Sequence, residues 1–223
     1  MLDEARWSNA LMCTSGIYSL LIRDVTKRCY HEALAYFRPG SAVLDVGIGN
    51  GSMIRHHHDL IRTKQLTILG IDVNDSYLRT CRRLITKFCL EGQIQVYRCP
   101  IETFTPPNDL RFDYVFFSMS FTLLGDPLRV LPRVRPWLKP GGQIVFVHTL
   151  FVRRSVLIEL LKPRLKYLTT IDFGRVVYQS DFFDLLRKVK LNTVVDRLLG
   201  RAPLGGQYRL VAATTDDEYA PDG

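Results

Sequence analysis

Residues 42–53 read Ala-Val-Leu-Asp-Val-Gly-Ile-Gly-Asn-Gly-Ser-Met. A short apolar run, Ala42 to Leu44, ends in Asp45, and glycines then recur at every second position: Gly47, Gly49 and Gly51. The run suits a buried strand. The glycines suit a tight turn where backbone approaches a ligand, since glycine takes positive φ freely and carries no Cβ. A helix starting there points its free N–H groups at that ligand. The same pattern also fits an ordinary strand-to-helix turn.

Residues 66–73, Leu-Thr-Ile-Leu-Gly-Ile-Asp-Val, form a second apolar run ending in a carboxylate. The interval from Asp45 to Asp72 is the length of strand, helix and second strand, one βαβ unit. An acid at the tip of the second strand is placed to accept two hydroxyl protons from a ribose. The competing reading of Asp72 is an N-cap for the helix that follows.

A dinucleotide fingerprint has G-x-G-x-x-G, and here Ser52 stands where its third glycine belongs. No G-x-x-x-x-G-K-[ST] phosphate loop occurs. Leu44-Asp45-Val46-Gly47-Ile48-Gly49-Asn50-Gly51 instead resembles the opening motif of the class I S-adenosylmethionine-dependent methyltransferases, the seven-stranded Rossmann-like family. Gly70-Ile71-Asp72-Val73 is similar to that family's second motif, and Phe112 to Ser118 to its fourth strand. Trp137-Leu138-Lys139-Pro140-Gly141-Gly142 with Ile144 to Val147 is similar to its turn into strand five. These signals cover about residues 38–149 in family order.

The resemblance implies a doubly wound, mostly parallel α/β sheet of about seven strands. It implies S-adenosyl-L-methionine as cofactor, with S-adenosyl-L-homocysteine as product. The implied cofactor-binding residues are Asp45, Gly47, Gly49, Asn50, Gly51, Asp72, Val73, Ile101, Glu102 and Ser118. One departure stands out: where the family often carries an acid for the adenine amino group, this chain has Cys99, with Glu102 three positions on. Either backbone groups hold the adenine or Glu102 reaches back.

The 223 residues suit one domain, and an apolar fraction of 47% with 23% charged residues is globular. No uninterrupted apolar stretch reaches membrane-span length. The start Met-Leu-Asp-Glu lacks a signal-peptide pattern, and the five cysteines (13, 29, 81, 89, 99) have no C-x-x-C pair. The expectation is a cytoplasmic protein with reduced, mostly buried thiols, acting as monomer or homodimer without membrane attachment. The formal charge is +8, but the basic residues are scattered along helical stretches, which favours solvated helix faces over a nucleic-acid surface.

Along the chain, residues 8–37 read as helix with a break near Arg23–Asp24, on a stripe of Tyr18, Leu21, Ile22, Val25 and Cys29. Strands are expected at 42–46, 66–72, 93–98, 112–118 and 143–149, and helices at 51–64 and 75–90. Asp126-Pro127 opens a helix that Pro132 and Pro136 should break. A helix fits 153–168, an irregular stretch 169–179, and a helix 181–189 capped by Ser180. Strands at 192–198 and 207–214 form an antiparallel hairpin, followed by an acidic, disordered tail. The layout is thus an N-terminal helical lid (1–40), a cofactor core (41–149), a substrate-side insert with hairpin (150–214) and a tail (215–223).

Methyl transfer from a sulfonium is an in-line displacement whose difficult chemistry belongs to the cofactor, so the protein must bind, align and desolvate. Acceptor-side candidates lie at the carboxyl ends of the strands: Ser118, Met119 and Ser120 after strand four, His148 and Thr149 at the end of strand five. His148 is the candidate base, with a hydrogen-bonded structural histidine as the alternative. Tyr18, Tyr30, Asp172 and Tyr178 are further candidates for the substrate side, Tyr18 as part of a lid that the resemblance implies; core packing is the alternative for the tyrosines. His56, His57 and His58 stand about 100° apart on a helix, do not converge on one ion, and read as surface histidines; no metal site is expected. A small-molecule acceptor is the leading reading. An RNA or protein acceptor and a non-catalytic cofactor-binding module are the alternatives; no N/D-P-P-Y/F motif follows strand four, where the chain reads Ser118-Met119-Ser120-Phe121.

Overall fold

The computed structural model describes residues 25–154, 176–202 and 205–215. Among them, strands β1 (Ala42–Val46), β2 (Thr67–Asp72), β3 (Ile94–Arg98), β4 (Phe112–Ser118), β5 (Leu138–Phe151), β6 (Leu191–Arg201) and β7 (Gly206–Thr215) form one sheet. Its order is β3-β2-β1-β4-β5-β7-β6. The first five strands pair in parallel, and β7 runs antiparallel between β5 and β6. The helices are α1 (25–36), α2 (Ser52–Thr63), α3 (Asp75–Lys87), α4 (Pro127–Val134) and α5 (Gln179–Lys188).

Side chains alternate across each strand, so the apolar runs feed two cores. Val43, Ile68, Phe116, Val145 and Val147 face one way, onto Cys29, Ala33 and Leu34 of α1, Ile54 and Ile61 of α2, and Leu78 and Leu84 of α3. Leu44, Leu69, Val115, Phe117, Ile144 and Phe146 face the other way, onto Val130 and Leu131 of α4 and Phe182 and Leu186 of α5. The expected doubly wound α/β architecture is thus present, with β1 and β4 at its centre.

The elements depart from the sequence reading at several places. Helix α3 ends at Lys87, because Cys89 takes a left-handed φ of 51° and turns the chain. That turn leaves Cys89 exposed; Cys29 and Cys81 are buried, and Cys99 is half-buried. Strand β5 is longer than expected at both ends, since Leu138 already pairs with Phe112 before the Lys139–Gly142 bulge. Helix α4 continues past Pro132 to Val134, and only then does a 3₁₀ turn at Arg135–Trp137 end it. Ser180 lies inside α5, whose N-cap is Tyr178. The described part of the N-terminal segment is fixed core: Cys29, Tyr30, Ala33, Leu34 and Phe37 are all buried. The expectations for residues 8–24, 155–175 and 216–223 lie outside the described residues.

One cation holds the end of α1. The Lys64 ammonium, just past α2, donates to the carbonyls of Leu34 and Ala35 at 2.7 Å each, and to that of Phe37. These are acceptors that a helix C-terminus leaves without intrahelical partners, at its negative end. Replacing Lys64 by Met is expected to lower stability by about 1–3 kcal/mol, read as a lower urea midpoint at unchanged slope.

Candidate functional site

Where β1 ends, the chain turns through residues 47–51 into α2. Gly47 and Gly51 hold φ of 80° and 78°, a region closed to most L side chains. Gly51 is the N-cap of α2, no side chain caps this end, and its first turn carries no acidic residue. The free N–H groups and the positive end of the helix are thus left for an anionic or strongly accepting ligand group.

The glycines have separate duties. A Cβ on Gly47 would sit 2.5 Å from Ser120 Cβ, and Ser120 Oγ donates to the Val46 carbonyl, tying the end of β4 to β1. A Cβ on Gly51 would lie 3.1–3.2 Å from Leu84 and Cys81 of α3, so Gly51 serves helix packing. At Gly49 a Cβ would meet nothing closer than the Gly47 carbonyl at 4.0 Å, which makes it the loop's open face. Asn50 is exposed beside it. Gly70, within β2, gives up its side chain so that Ile48 fits against the strand. The sequence signal for this last contact was a lone glycine in an apolar strand.

Asp72 closes the loop from the side. Its Oδ2 accepts from Gly49 N at 2.9 Å and its Oδ1 from Asn74 N at 2.8 Å. The N-cap of α3 is Asn74, whose side chain accepts from Tyr77 N, so the capping alternative for Asp72 falls away. A carboxylate has about four acceptor directions, and two remain for further donors. Val73 beside it is 61% exposed, an apolar surface at the tip of β2. The Asp72 carbonyl accepts from Cys99 N at 3.1 Å, which brings the end of β3 alongside. Cys99 Sγ turns to the Pro100 carbonyl and Thr103 Oγ1. Ile101 is buried below, and Glu102 is exposed on the same turn. The ten sequence-predicted cofactor residues therefore gather at the carboxyl ends of β1 to β4, with Gly51 as a packing support.

Beneath the loop lies a buried polar group of side chains. Asp45 is 1% exposed, and its Oδ1 has no hydrogen-bond partner among the described residues. Burial, and then the charge of Asp72, push its carboxyl up to about 8. Tyr30 of α1 and Cys81 of α3 face it; burial and then the Asp45 charge raise both to about 12. The nearby Ser118 hydroxyl at the end of β4 opposes part of that rise, although its Oγ makes no direct hydrogen bond among the described residues. Met119 follows in the left-handed region, φ 56°, and its N–H donates to the Val147 carbonyl at 2.7 Å.

The acceptor-side candidates divide. Tyr30, Ser118, Met119 and Ser120 border this group. His148 is 0% exposed, its ring enclosed by Phe121, Phe146 and Phe182, with centroids 4.5–6.2 Å away. Tyr178 is buried, bridged to Phe151, with Arg154 over its ring. Thr149 is half-buried and pairs with Tyr208 on β7. Tyr18 and Asp172 lie outside the described residues.

Of the three histidines of α2, His57 is buried, whereas His56 and His58 are half-buried. His57 leaves helical geometry (φ −138°, ψ 23°), is 9% exposed, and its Nε2 lies 2.8 Å from the Lys27 carbonyl. Burial first, with the charges of His31, His56 and Lys27, lowers its pKa against the effect of that hydrogen bond. His58 stacks on Phe88 at 3.8 Å between centroids. Among the described residues no three metal-ligating side chains come together, and no helix is long and apolar enough to cross a membrane.

The Asp45 carboxyl makes a stability prediction. The folded chain keeps it protonated up to about 8, whereas the unfolded chain ionises it near 3.8. Asp45 therefore costs the ligand-free fold progressively more as pH rises between these values. Asp45→Asn removes that cost, so its stability gain over wild type should grow by on the order of 1 kcal/mol per pH unit. Urea midpoints of ligand-free protein at low and high pH within that interval measure it.

The family model of a methyltransferase domain matches residues 43–142. The ubiquinone/menaquinone biosynthesis C-methyltransferase UbiE of Ectopseudomonas mendocina is 30% identical over 118 residues, 52% of this chain and 44% of that protein. Dimethylglycine N-methyltransferase of Parasynechococcus marenigrum is 30% identical over 154 residues, 66% of this chain and 53% of its own. The chain spans about half the length of the curated relatives it matches. In fold it is similar to the geranyl diphosphate C-methyltransferase of Streptomyces coelicolor, solved with S-adenosyl-L-homocysteine. That likeness has a TM-score of 0.62 at 14% identity, covering 82% of this chain and 75% of the other. Sheet order, glycine loop and family model point the same way: residues 43–142 are similar to a methyltransferase domain, on a fold shared with solved S-adenosylmethionine-dependent methyltransferases.

Proposed function

We propose that this chain is an enzyme that moves the methyl group of S-adenosyl-L-methionine to an O, N or S nucleophile of a small molecule. The observation that carries the reading is the pairing of an open glycine loop with Asp72, whose carboxylate is pinned beside Gly49 with acceptor directions to spare. The residues present suit each part of such a cofactor. Asp72 would take the ribose hydroxyls, Val73 and Ile101 the adenine face, and the backbone at Gly49 and Asn50 the linking chain. Glu102 stands exposed near the adenine side, in place of the acid missing at Cys99. Asp45, whose Oδ1 has no partner among the described residues, suits an ammonium group. When bound, the cofactor would supply an electrophilic methyl on a cationic sulfur.

The chain's own part is to hold, orient and keep water out. Ser118, Met119 and Tyr30 form the wall beside Asp45, with Tyr30 kept protonated as a donor at ordinary pH. Alignment of this kind supplies about 7–11 kcal/mol toward a two-body reaction. His148 sits behind Phe121 and Phe182, so in this packing it supports the turn after β4. The carbon and nitrogen acceptors in the relatives' names support a small-molecule substrate over RNA or protein. The free state of the described cysteines supports a cytoplasmic setting.

Calorimetry should show binding of S-adenosylmethionine and S-adenosylhomocysteine in the micromolar range, at least about tenfold weaker in Asp72→Ala and in Gly49→Val. No heat with either ligand would overturn the reading. For His148→Gln the expected result is a lower melting temperature with the shape of the pH–rate profile unchanged. Loss of that profile's acidic limb would return His148 to the role of base.

A further inference from the structure

The histidine run on α2 has no part in the cofactor cleft, yet its middle member interrupts the helix. His57 leaves helical φ and ψ, and its side chain is buried against α1. Its Nε2 lies 2.8 Å from the Lys27 carbonyl. A carbonyl only accepts, so Nε2 carries the hydrogen, and in the neutral ring Nδ1 is bare. The titratable groups acting on His57 are all bases. From α1 come Lys27 and His31, whose ring centroid is 5.6 Å away; from α2 comes His56, at 6.4 Å. None of the described groups acting on His57 is a carboxylate. The acids nearest in sequence are engaged elsewhere: Glu32 with Arg197, and Asp59 with His58 and Arg62. The far end of α1 is held separately, by Lys64 at the carbonyls of Leu34, Ala35 and Phe37.

We infer that His57 is an acid-released latch on the N-terminal helix: neutral, it seats the first two turns of α1 against α2, and protonated, it lets them go while Lys64 keeps the other end. The step is the transfer of one proton from solvent to Nδ1. The Nε2–H still donates to Lys27, so release does not come from a lost hydrogen bond. It comes from setting a positive charge beside Lys27 and two further imidazoles, in a place with little water and no counter-ion among the described groups. Burial first, and then those neighbours, hold the folded His57 below its ordinary value of 6.5. Once α1 lifts, the ring meets water and regains that value. The contact is therefore at full strength above pH 6.5 and is lost as pH falls through the lower folded value, by up to about tenfold per pH unit. Release takes Tyr30 with it and opens the wall beside Asp45. The latch goes beyond the methyl-transfer reading and does not depend on it.

The test is amide hydrogen exchange of the whole chain at about pH 7.5 and about pH 5.5, corrected for the intrinsic pH dependence of exchange. In wild type the amides of Cys29, Tyr30 and His31 should lose protection severalfold, up to about tenfold, at the lower pH, while that of Phe37 near Lys64 is unchanged. His57→Gln keeps a donor for the Lys27 carbonyl but takes no proton, and its protection should be flat in pH. Lys27→Met removes the neighbouring charge and leaves the carbonyl, and should reduce the loss. The His57 ring of wild type, followed by NMR, should titrate below its ordinary value and in step with the loss of protection; this decides the matter alone if His57→Gln does not fold. Unchanged wild-type protection at these amides would overturn the inference. An equal loss in His57→Gln would overturn it too, by placing the proton on another group. So would a His57 ring that titrates at or above the ordinary histidine value.

Discussion

Close approach of backbone at glycine positions is the constraint on which the rest of this structure depends. Ser120 reaches the space over Gly47, Ile48 the space over Gly70, and α3 the space over Gly51. Each contact joins a different pair of elements: β4 to β1, the loop to β2, and α3 to α2. A single methyl group at any of the three would push apart elements that meet at the site. Interiors are packed too tightly to absorb such a displacement locally. The loop is therefore rigid because of what surrounds it, and the open face at Gly49 is the one place where that surrounding stops.

The same geometry gives two aspartates unlike properties. Asp72 stands at a strand tip, bonded to backbone N–H groups and open to water, which suits a group that must stay ionised. Asp45 faces helices α1 and α3 from within the sheet and loses its solvent altogether. Chemistry at such a site is decided by environment rather than by residue type. Tyr30 contributes to that environment from α1, so the N-terminal helix belongs to the site as well as to the core.

Much of this was legible in the chain. The bounds of β1 and β4, the terminal hairpin and the position of Asp72 follow from apolar runs, strand tips and turn residues, all local signals, whereas the strand order came with the family resemblance. What was not legible depends on distant partners. Helix α3 stops at Lys87 because Cys89 turns back, although the apolar stripe continues to Phe88. The inward turn of His57 needs the Lys27 carbonyl, thirty positions away. Glycine spacing announced a ligand loop but did not say that Gly51 serves α3 while Gly49 serves the ligand. His148 illustrates the limit best: its place at the end of a strand invites a catalytic role, and only the ring of Phe121, Phe146 and Phe182 shows how it is enclosed.

The insertion of β7 between β5 and β6 has a consequence for biosynthesis. Strand β6 is made first, yet among the described residues it pairs with β7 alone. On a ribosome, the edge of β5 and the whole of β6 must wait for residues 206–215 to emerge before either can close its backbone hydrogen bonds. The nascent chain thus carries an open β5 edge next to Val145 and Val147 until β7 slides into the middle. Such an edge invites pairing with other chains. The sheet is therefore closed only once β7 has emerged, and until then the unpaired edge is open to pairing with other chains.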